Sequence, residues 1–250
     1  MYFINRYTDK TAINNAVDEG TLLKPYLALN DNTGKIDWDS YSGGSKPYVQ
    51  QYLTFEILSA GTINWVGKFG LSKTIEYSKD NGSTWTSITS SRAGTSFNVD
   101  AGDKVLFRGN NATYYSSATR YSVFTDSTAI FNAYGNIMSL INSTNFSGLT
   151  SFTGSHNFYR LFENTNIVDA RNLILPVKTL GEYCYQSMFS NCSKLIGITC
   201  LATNILASGC VLSWMSGVST TGTFIKAASM TAWQRGTNGI PSNWTVQDVS

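Results

Sequence analysis

Apolar and polar residues alternate along the middle of the chain, as they do in strands that bury one face. From Tyr52 to Ile57 the large aliphatic and Phe side chains fall at every second position, which predicts a half-buried strand. Similar short runs follow up to Arg108, and turns rich in Gly, Asp or Asn separate most of them. Short strands at this spacing predict a β-sandwich over residues 51–125.

Residues 1–50 have a different pattern. Thr8 and Asp9 are suitable N-caps, and apolar residues then fall at helical spacing as far as Gly20. Two short apolar runs flank the turn residues Asp31–Gly34, which predicts a hairpin, and the small residues of Ser40–Lys46 indicate a linker. We therefore expect a small helix-hairpin module at the start of the chain.

The last part of the chain repeats itself at an interval of 26 or 27 residues. Leu180–Phe189 aligns with Leu206–Met215, so that Leu, Cys and Ser coincide, and Leu161–Thr165 aligns with Met188–Cys192. Each unit has a short helix-like segment ending in two large apolar residues, then a polar turn and a short apolar strand. One such unit cannot bury its own apolar face, so neighbours must stack. The pattern predicts a solenoid of about three units over residues 126–250.

Composition narrows the function classes. Charged residues make up 14% of the chain, against roughly 25% in an average domain, and Ser, Thr, Asn and Gly replace them. The formal net charge is +2 without a long Lys/Arg run, so the footprint of nucleic-acid binding is missing. The chain contains no run of about 18 apolar residues, so a membrane-spanning helix is not predicted. Met1–Tyr7 does not have the pattern with which a secretory signal begins.

The cysteines and the single histidine do not predict catalysis or metal binding. Cys184 and Cys210 share a repeat position, and no cysteines form a close C-x-x-C pair, so buried packing is favoured over zinc or a disulfide. Ser-His or Cys-His catalysis would need His156, which stands in a repeat position beside Phe158 and Tyr159. The acidic residues are scattered, which does not favour a glycosidase pair. We expect a non-enzymatic protein with no cofactor and no metal.

One turn motif and one loop stand out in the predicted sandwich. The spacing of Ser78, Asp80, Gly82, Thr84 and Trp85 fits an Asp-box, a hairpin turn that sialidases repeat across propeller blades. Because this chain has one copy, a structural turn is favoured over a sialidase.

The loop runs from Asn110 to Tyr121 and is rich in Tyr, Asn and Ser. Sugar C–H faces stack on aromatic rings while amides bond sugar hydroxyls, and Tyr also anchors protein interfaces. The candidate ligand contacts are Asn111, Tyr114, Tyr115, Arg120 and Tyr121. The alternative is an ordinary tyrosine-rich surface loop.

The repeat Cys184–Leu195, with the sequence Cys-Tyr-Gln-Ser-Met-Phe-Ser-Asn-Cys-Ser-Lys-Leu, resembles the BspA-type leucine-rich repeat of Bacteroidales and their phages. The tail from Ala228 to Val246 and the segments Tyr77–Trp85 and Gly135–Leu140 also resemble parts of such proteins. The resemblance covers residues 52–250. The repeats of this chain are fewer and less uniform than is typical of the family.

The resemblance implies a leucine-rich-repeat-like solenoid with a C-terminal cap, giving a mainly β fold class with α/β repeats. Relatives of this layout occur as bacterial surface proteins and as phage virion proteins. The leaderless start and the leading module over residues 1–50, which resembles virion docking modules, favour a head or tail fibre or decoration protein. It would dock on other virion proteins, assemble in the host cytoplasm and bind a host-surface glycan or protein.

By resemblance alone we also expect a homo-oligomer, with a trimer favoured. The alternative reading is a bacterial surface adhesin or glycan-binding protein of the leucine-rich-repeat type.

Overall fold

The structure is a computed structural model that describes residues 5–7, 28–30, 35–36, 51–152, 154–231, 233–236 and 238–249. The chain divides into two compact units, Met1–Gln50 and Gln51–Ser250. The first unit contains a sheet in the order β1 (Asn5–Tyr7), β2 (Ala28–Asn30), β3 (Lys35–Ile36).

In this sheet β1 is parallel to β2, and β2 is antiparallel to β3. The parallel strand β1 was not predicted. The helix expected after Thr8 and the turn at Asp31–Gly34 lie outside the described residues, so the helix-hairpin module is not seen.

The second unit is built from strands. They are β4 (Leu53–Ser59), β5 (Gly61–Gly67), β6 (Thr74–Ser78), β7 (Thr86–Thr89), β8 (Thr95–Val99), β9 (Lys104–Gly109), β10 (Tyr115–Ser117), β11 (Arg120–Val123), β12 (Ile130–Asn136), β13 (Asn166–Ile167), β14 (Asp169–Ala170), β15 (Leu173–Ile174), β16 (Gly197–Cys200), β17 (Thr223–Lys226) and β18 (Thr245–Asp248). Among the described residues, helical structure is limited to the short 3-10 helices Lys68–Gly70 and Ile137–Leu140. The mainly β prediction is therefore confirmed, and no described helix is long and apolar enough to cross a membrane.

Strands β4 to β12 form two sheets that share a core. One sheet has the order β10-β11-β5-β8, and the other has the order β12-β4-β9-β6-β7, with β13 and β15 beside β12. Alternation decides which side chains are buried, because successive residues of a strand point to opposite faces. The Phe124 ring centroid lies 5.1 Å from Phe55 of β4 and 4.8 Å from Trp65 of β5, so side chains of both sheets meet in this core.

Strand β12 joins the antiparallel part to the repeats. It pairs antiparallel with β4 on one side and parallel with β13 and β15 on the other. The core continues across this strand, because the Phe162 ring stacks on both Phe124 and Phe189, at 6.0 and 5.4 Å. The β part and the repeats are thus one packed unit.

The repeats form a β-solenoid of about three turns, as predicted. Their strands build a parallel sheet in the order β14-β16-β17-β18. The register places Ile198, Phe224 and Val246 side by side on neighbouring strands. Stacked apolar residues of this kind form the continuous core that each repeat needs.

The segments expected to be helix-like are spirals of β-turns, and this part of the prediction is wrong. We call them the first coil (156–165), the second coil (183–192) and the third coil (209–218). In each coil three residues spaced four apart have positive φ: His156, Arg160 and Asn164; Tyr183, Ser187 and Asn191; Gly209, Ser213 and Gly217. This backbone still brings large residues to one face at i, i+3 and i+4, which is why the apolar pattern resembled that of a helix.

Candidate ligand-binding surface

Two of the predicted contact residues are engaged inside the protein. Tyr114 is 1% exposed, its hydroxyl donates to the Leu140 carbonyl at 2.5 Å, and its burial raises its pKa. The Asn111 side-chain amide donates to the Thr74 carbonyl at 2.7 Å and to the Tyr114 hydroxyl at 3.3 Å. Tyr114 is therefore a core residue, and Asn111 holds the loop against β6.

The other three predicted residues lie on the hairpin of β10 and β11. Tyr115 pairs with Tyr121 across the hairpin, and Ser117 pairs with Arg120, with an irregularity between them. Arg120 is exposed, Tyr115 is half-buried and Tyr121 is buried. The Tyr121 ring meets the Tyr159 ring of the first coil edge-on, at 5.1 Å. The structure thus brings this part of the predicted set together on one hairpin.

Aromatic rings from the hairpin and the solenoid form a stack along this surface. Tyr115 stacks on His156 at 3.8 Å and 8°, and His156 stacks on Tyr183 at 4.7 Å and 27°. A Cβ atom added to Gly209 would lie 2.3 Å from the Tyr183 ring, so this ring lies directly against the glycine. His156, Tyr183 and Gly209 occupy the same position of successive coils. We call Tyr115, His156 and Tyr183 the aromatic column.

His156 is a packing residue of this column. A tyrosine lies against each face of its ring, and its Nδ1 atom is 2.8 Å from the neighbouring Ser155 hydroxyl. Desolvation lowers the pKa of His156, although Glu182 acts in the opposite direction. The imidazole is therefore neutral at neutral pH, as a group between two rings should be. Across the described part of the chain, no three His, Cys, Asp or Glu side chains converge as a metal site would require.

An ion pair borders the column. Arg160 of the first coil pairs with Glu163 three residues later, and its guanidinium lies 5.3 Å from the Tyr159 ring centroid. Arginine over an aromatic face is a stabilising arrangement. The sequence reasoning missed Arg160, Tyr159 and Tyr183. The 27-residue spacing of His156 and Tyr183 was the available signal, since it places aromatic rings at one repeat position.

Stacking limits which groups of this surface can contact a ligand. The His156 ring lies between Tyr115 and Tyr183, and the Tyr183 ring lies between His156 and Gly209. A sugar therefore cannot stack on His156 or Tyr183. Tyr115 is the end ring, and the exposed Arg120 and the hydroxyls of Ser116, Ser117 and Thr119 lie on the same hairpin. One aromatic ring among hydroxyl and guanidinium donors suits a hydroxyl-rich ligand.

The Asp-box has the structural role expected of it. The Asp80 carboxylate accepts from the Thr84 N–H at 2.9 Å, the Thr84 hydroxyl at 2.6 Å and the Ser78 hydroxyl at 2.7 Å. These bonds lower the pKa of Asp80 to about 2, those from Thr84 most strongly. Trp85 then packs on Tyr52 at 5.0 Å and under the Arg108 guanidinium at 4.0 Å. The motif therefore closes a turn and anchors it to the sheet.

The cysteines also match the packing interpretation, because all four are free and buried. The Cys192 thiol donates to the Phe162 carbonyl at 2.9 Å, which ties the second coil to the first. Burial raises the pKa of Cys192 to about 11 and that of Cys200 to about 12. These thiols are therefore protonated and poor nucleophiles at neutral pH.

Comparison with protein-family models, with curated proteins and with solved structures finds no match to this chain.

Proposed function

We propose that the protein is a non-enzymatic structural protein of a phage virion that presents the β10–β11 hairpin to a host-surface saccharide. The observation that carries the binding part is the aromatic column, in which Tyr115 stacks on His156 of the solenoid and His156 stacks on Tyr183. A preordered ring loses little conformational entropy on binding. The virion setting and docking through residues 1–50 rest on the family resemblance.

The saccharide contact is tested by removing the side chains of Tyr115 and Arg120 from the hairpin. Tyr115→Ala and Arg120→Ala should each weaken binding to purified capsular polysaccharides or lipopolysaccharides by roughly tenfold, measured by biolayer interferometry. Arg92→Ala is the matched control, since Arg92 is also exposed but precedes β8, at the opposite edge of the same sheet. Equal binding by all three variants would contradict the proposed contact, and sugar release during incubation would contradict the non-enzymatic role.

The virion setting is tested by mass spectrometry of purified particles. Presence of the chain in particles supports the proposal, and absence from them refutes it. Recovery from the bacterial envelope would instead support the alternative of a surface adhesin or glycan-binding protein, which would use the same hairpin. Light scattering of the purified chain tests the expected homo-oligomer, with a trimer proposed by resemblance.

A further inference from the structure

The turn Lys68–Gly70, which follows β5, presents Phe69 to solvent. The Phe69 side chain is 63% exposed. Among the residues whose exposure the structure describes, every other Phe, Tyr and Trp side chain is buried or half-buried. Single exposed apolar residues are common on protein surfaces, so a second property is needed to mark Phe69 as a ligand contact.

That second property is a strained backbone. Phe69 has a φ of +50° and a ψ of +36°, and this left-handed region is disfavoured for residues that carry a Cβ atom. Gly or Asn adopts the same conformation at lower cost. A ring that lies mostly in water regains little of the cost by burial. Strained residues of this kind gather at ligand-binding positions.

The turn is fixed by the backbone around it. The Gly67 N–H donates to the Ser91 carbonyl at 2.8 Å, and the Leu71 N–H donates to the Lys68 carbonyl at 3.2 Å. A Cβ atom on Gly67 would collide with the Leu71 carbonyl oxygen, so the chain folds back closely over this glycine. Phe69 is thus held in place before a ligand binds, which lowers the entropy lost on binding.

The turn lies beside the hairpin that carries the proposed saccharide contact. Gly67 pairs with Ser122 of β11 in antiparallel register, and the turn that follows contacts β11. Tyr115 lies on the other side of β11, in β10. Because neighbouring strands are about 4.8 Å apart, roughly 10 Å separates β10 from the turn. One sugar ring is too short to contact both.

We propose that Phe69 is a second stacking ring of the hairpin site, and that the ligand is a linear saccharide chain that crosses β11 from Tyr115 to Phe69. This inference rests on the proposed function, because it extends the contact at Tyr115. One sugar stacks its C–H face on each ring, and the exposed Arg120 of β11 donates to hydroxyls of the sugars between them. A single terminal sugar would contact one ring only.

The surroundings of Phe69 favour a sugar over a protein partner. Within β5, β10, β11 and the turn, Phe69 is the only exposed large apolar residue. Its neighbours in the turn are Lys68 and Gly70. The core of a protein interface combines several apolar side chains, whereas stacking of a sugar needs one accessible ring face.

The first test measures binding of variants to purified capsular polysaccharides and lipopolysaccharides by biolayer interferometry. Phe69→Ala should weaken binding roughly tenfold, whereas Phe69→Trp keeps a ring and should bind within about threefold of the unchanged chain. Leu58→Ala is the matched control, since Leu58 is an apolar residue that is 46% exposed but belongs to β4 of the other sheet. Unchanged binding by Phe69→Ala, or an equal loss in Leu58→Ala, would overturn the inference.

Urea unfolding separates a ligand contact from a structural role. Phe69→Gly relieves the strained backbone, so it should unfold at the same or a higher urea concentration than the unchanged chain. It should still bind the polysaccharide roughly tenfold more weakly. Unfolding at a clearly lower urea concentration would show that the ring supports the fold, and would contradict the inference.

The second test varies the length of the probe. Monosaccharide, trisaccharide and hexasaccharide fragments are released by partial acid hydrolysis from the polysaccharide that binds. Affinity for the unchanged chain should rise at least about tenfold from the monosaccharide to the hexasaccharide, because the second ring is reached only by a chain. Phe69→Ala should lose most of this rise. Equal affinity of the unchanged chain for all fragments would refute the proposed chain ligand.

These outcomes distinguish the inference from the proposed function. Weaker binding by Tyr115→Ala together with unchanged binding by Phe69→Ala would overturn the second ring and leave the hairpin contact in place. Unchanged binding by both variants would overturn both proposals, as would an unchanged chain that binds none of the polysaccharides or lipopolysaccharides.

Discussion

Gly209→Ala tests whether the aromatic column supports the solenoid. Gly209 has a φ of +61°, and a Cβ atom there would lie 2.3 Å from the Cδ1 and Cε1 atoms of Tyr183. Alanine must therefore accept a left-handed backbone and push the Tyr183 ring aside. Displacement of that ring also removes its stacking on His156.

The magnitude follows from these two effects. A left-handed backbone costs a non-glycine residue about 1–2 kcal/mol, and loss of an aromatic pair costs roughly 0.5–1.5 kcal/mol. Together they should lower the free energy of unfolding by about 1.5–3.5 kcal/mol. The matched control is Gly102→Ala, where φ is +93° but no atom lies within 4 Å of the added Cβ. The control therefore measures the backbone effect alone.

Urea unfolding followed by tryptophan fluorescence gives the comparison. The loss for Gly209→Ala should exceed that for Gly102→Ala by about 1 kcal/mol or more. The double variant Gly209→Ala with Tyr183→Ala should lose less free energy of unfolding than the sum of the two single variants, because the added Cβ no longer meets the Tyr183 ring. An equal loss at both glycines would refute the reasoning, since the column would then contribute nothing to stability.

Three further outcomes are expected. Tyr114→Phe should lower the free energy of unfolding by about 1–3 kcal/mol, because the buried Leu140 carbonyl then keeps only the long bond from the Asn111 N–H at 3.5 Å. Tyr115→Phe should change the free energy of unfolding by under about 0.5 kcal/mol, and urea titrations of both variants check this. Because the pKa of Asp80 is lowered in the folded protein, the ionised carboxylate stabilises its turn fully at a pH above its unfolded pKa of about 3.9. This stabilisation is lost as the pH falls through the folded pKa of about 2. An NMR titration of Asp80 in the folded protein with a midpoint near the unfolded pKa would contradict this prediction. The high pKa values of Cys192 and Cys200 predict negligible iodoacetamide labelling of these thiols in the folded chain at pH 8 and complete labelling in urea. Rapid labelling of these thiols in the folded chain would contradict their burial.

The strands and the stacking of the repeats could be predicted because burial leaves a direct trace in the sequence. In β4 the alternating apolar residues Leu53, Phe55 and Ile57 are all buried, as predicted, although Thr54 between the first two is buried as well. The equivalence of Cys184 and Cys210 likewise predicted two buried thiols at one repeat position. Both features depend on period and hydrophobicity alone.

The coil backbone could not be predicted in the same way. Tyr183 and Ser187 have positive φ, which their own side chains disfavour. Hydrogen bonds to the neighbouring coil impose that conformation, as when the Tyr183 N–H donates to the Ser208 carbonyl at 3.0 Å. Such bonds join residues far apart in the sequence, and the local pattern carries no sign of them. For the same reason Tyr114 looked exposed although it fills the core beside Trp65, 5.5 Å away.

The direction of the side chains explains why the glycines gather in the third coil. Tyr183 and Asn191 of the second coil lean over Gly209 and Gly217, whose added Cβ atoms would lie 2.3 and 2.6 Å from them. Larger side chains on the second coil thus require glycine at the same positions of the next one. A larger residue at either position would collide with the second coil, so packing between successive coils decides where the third coil carries glycine.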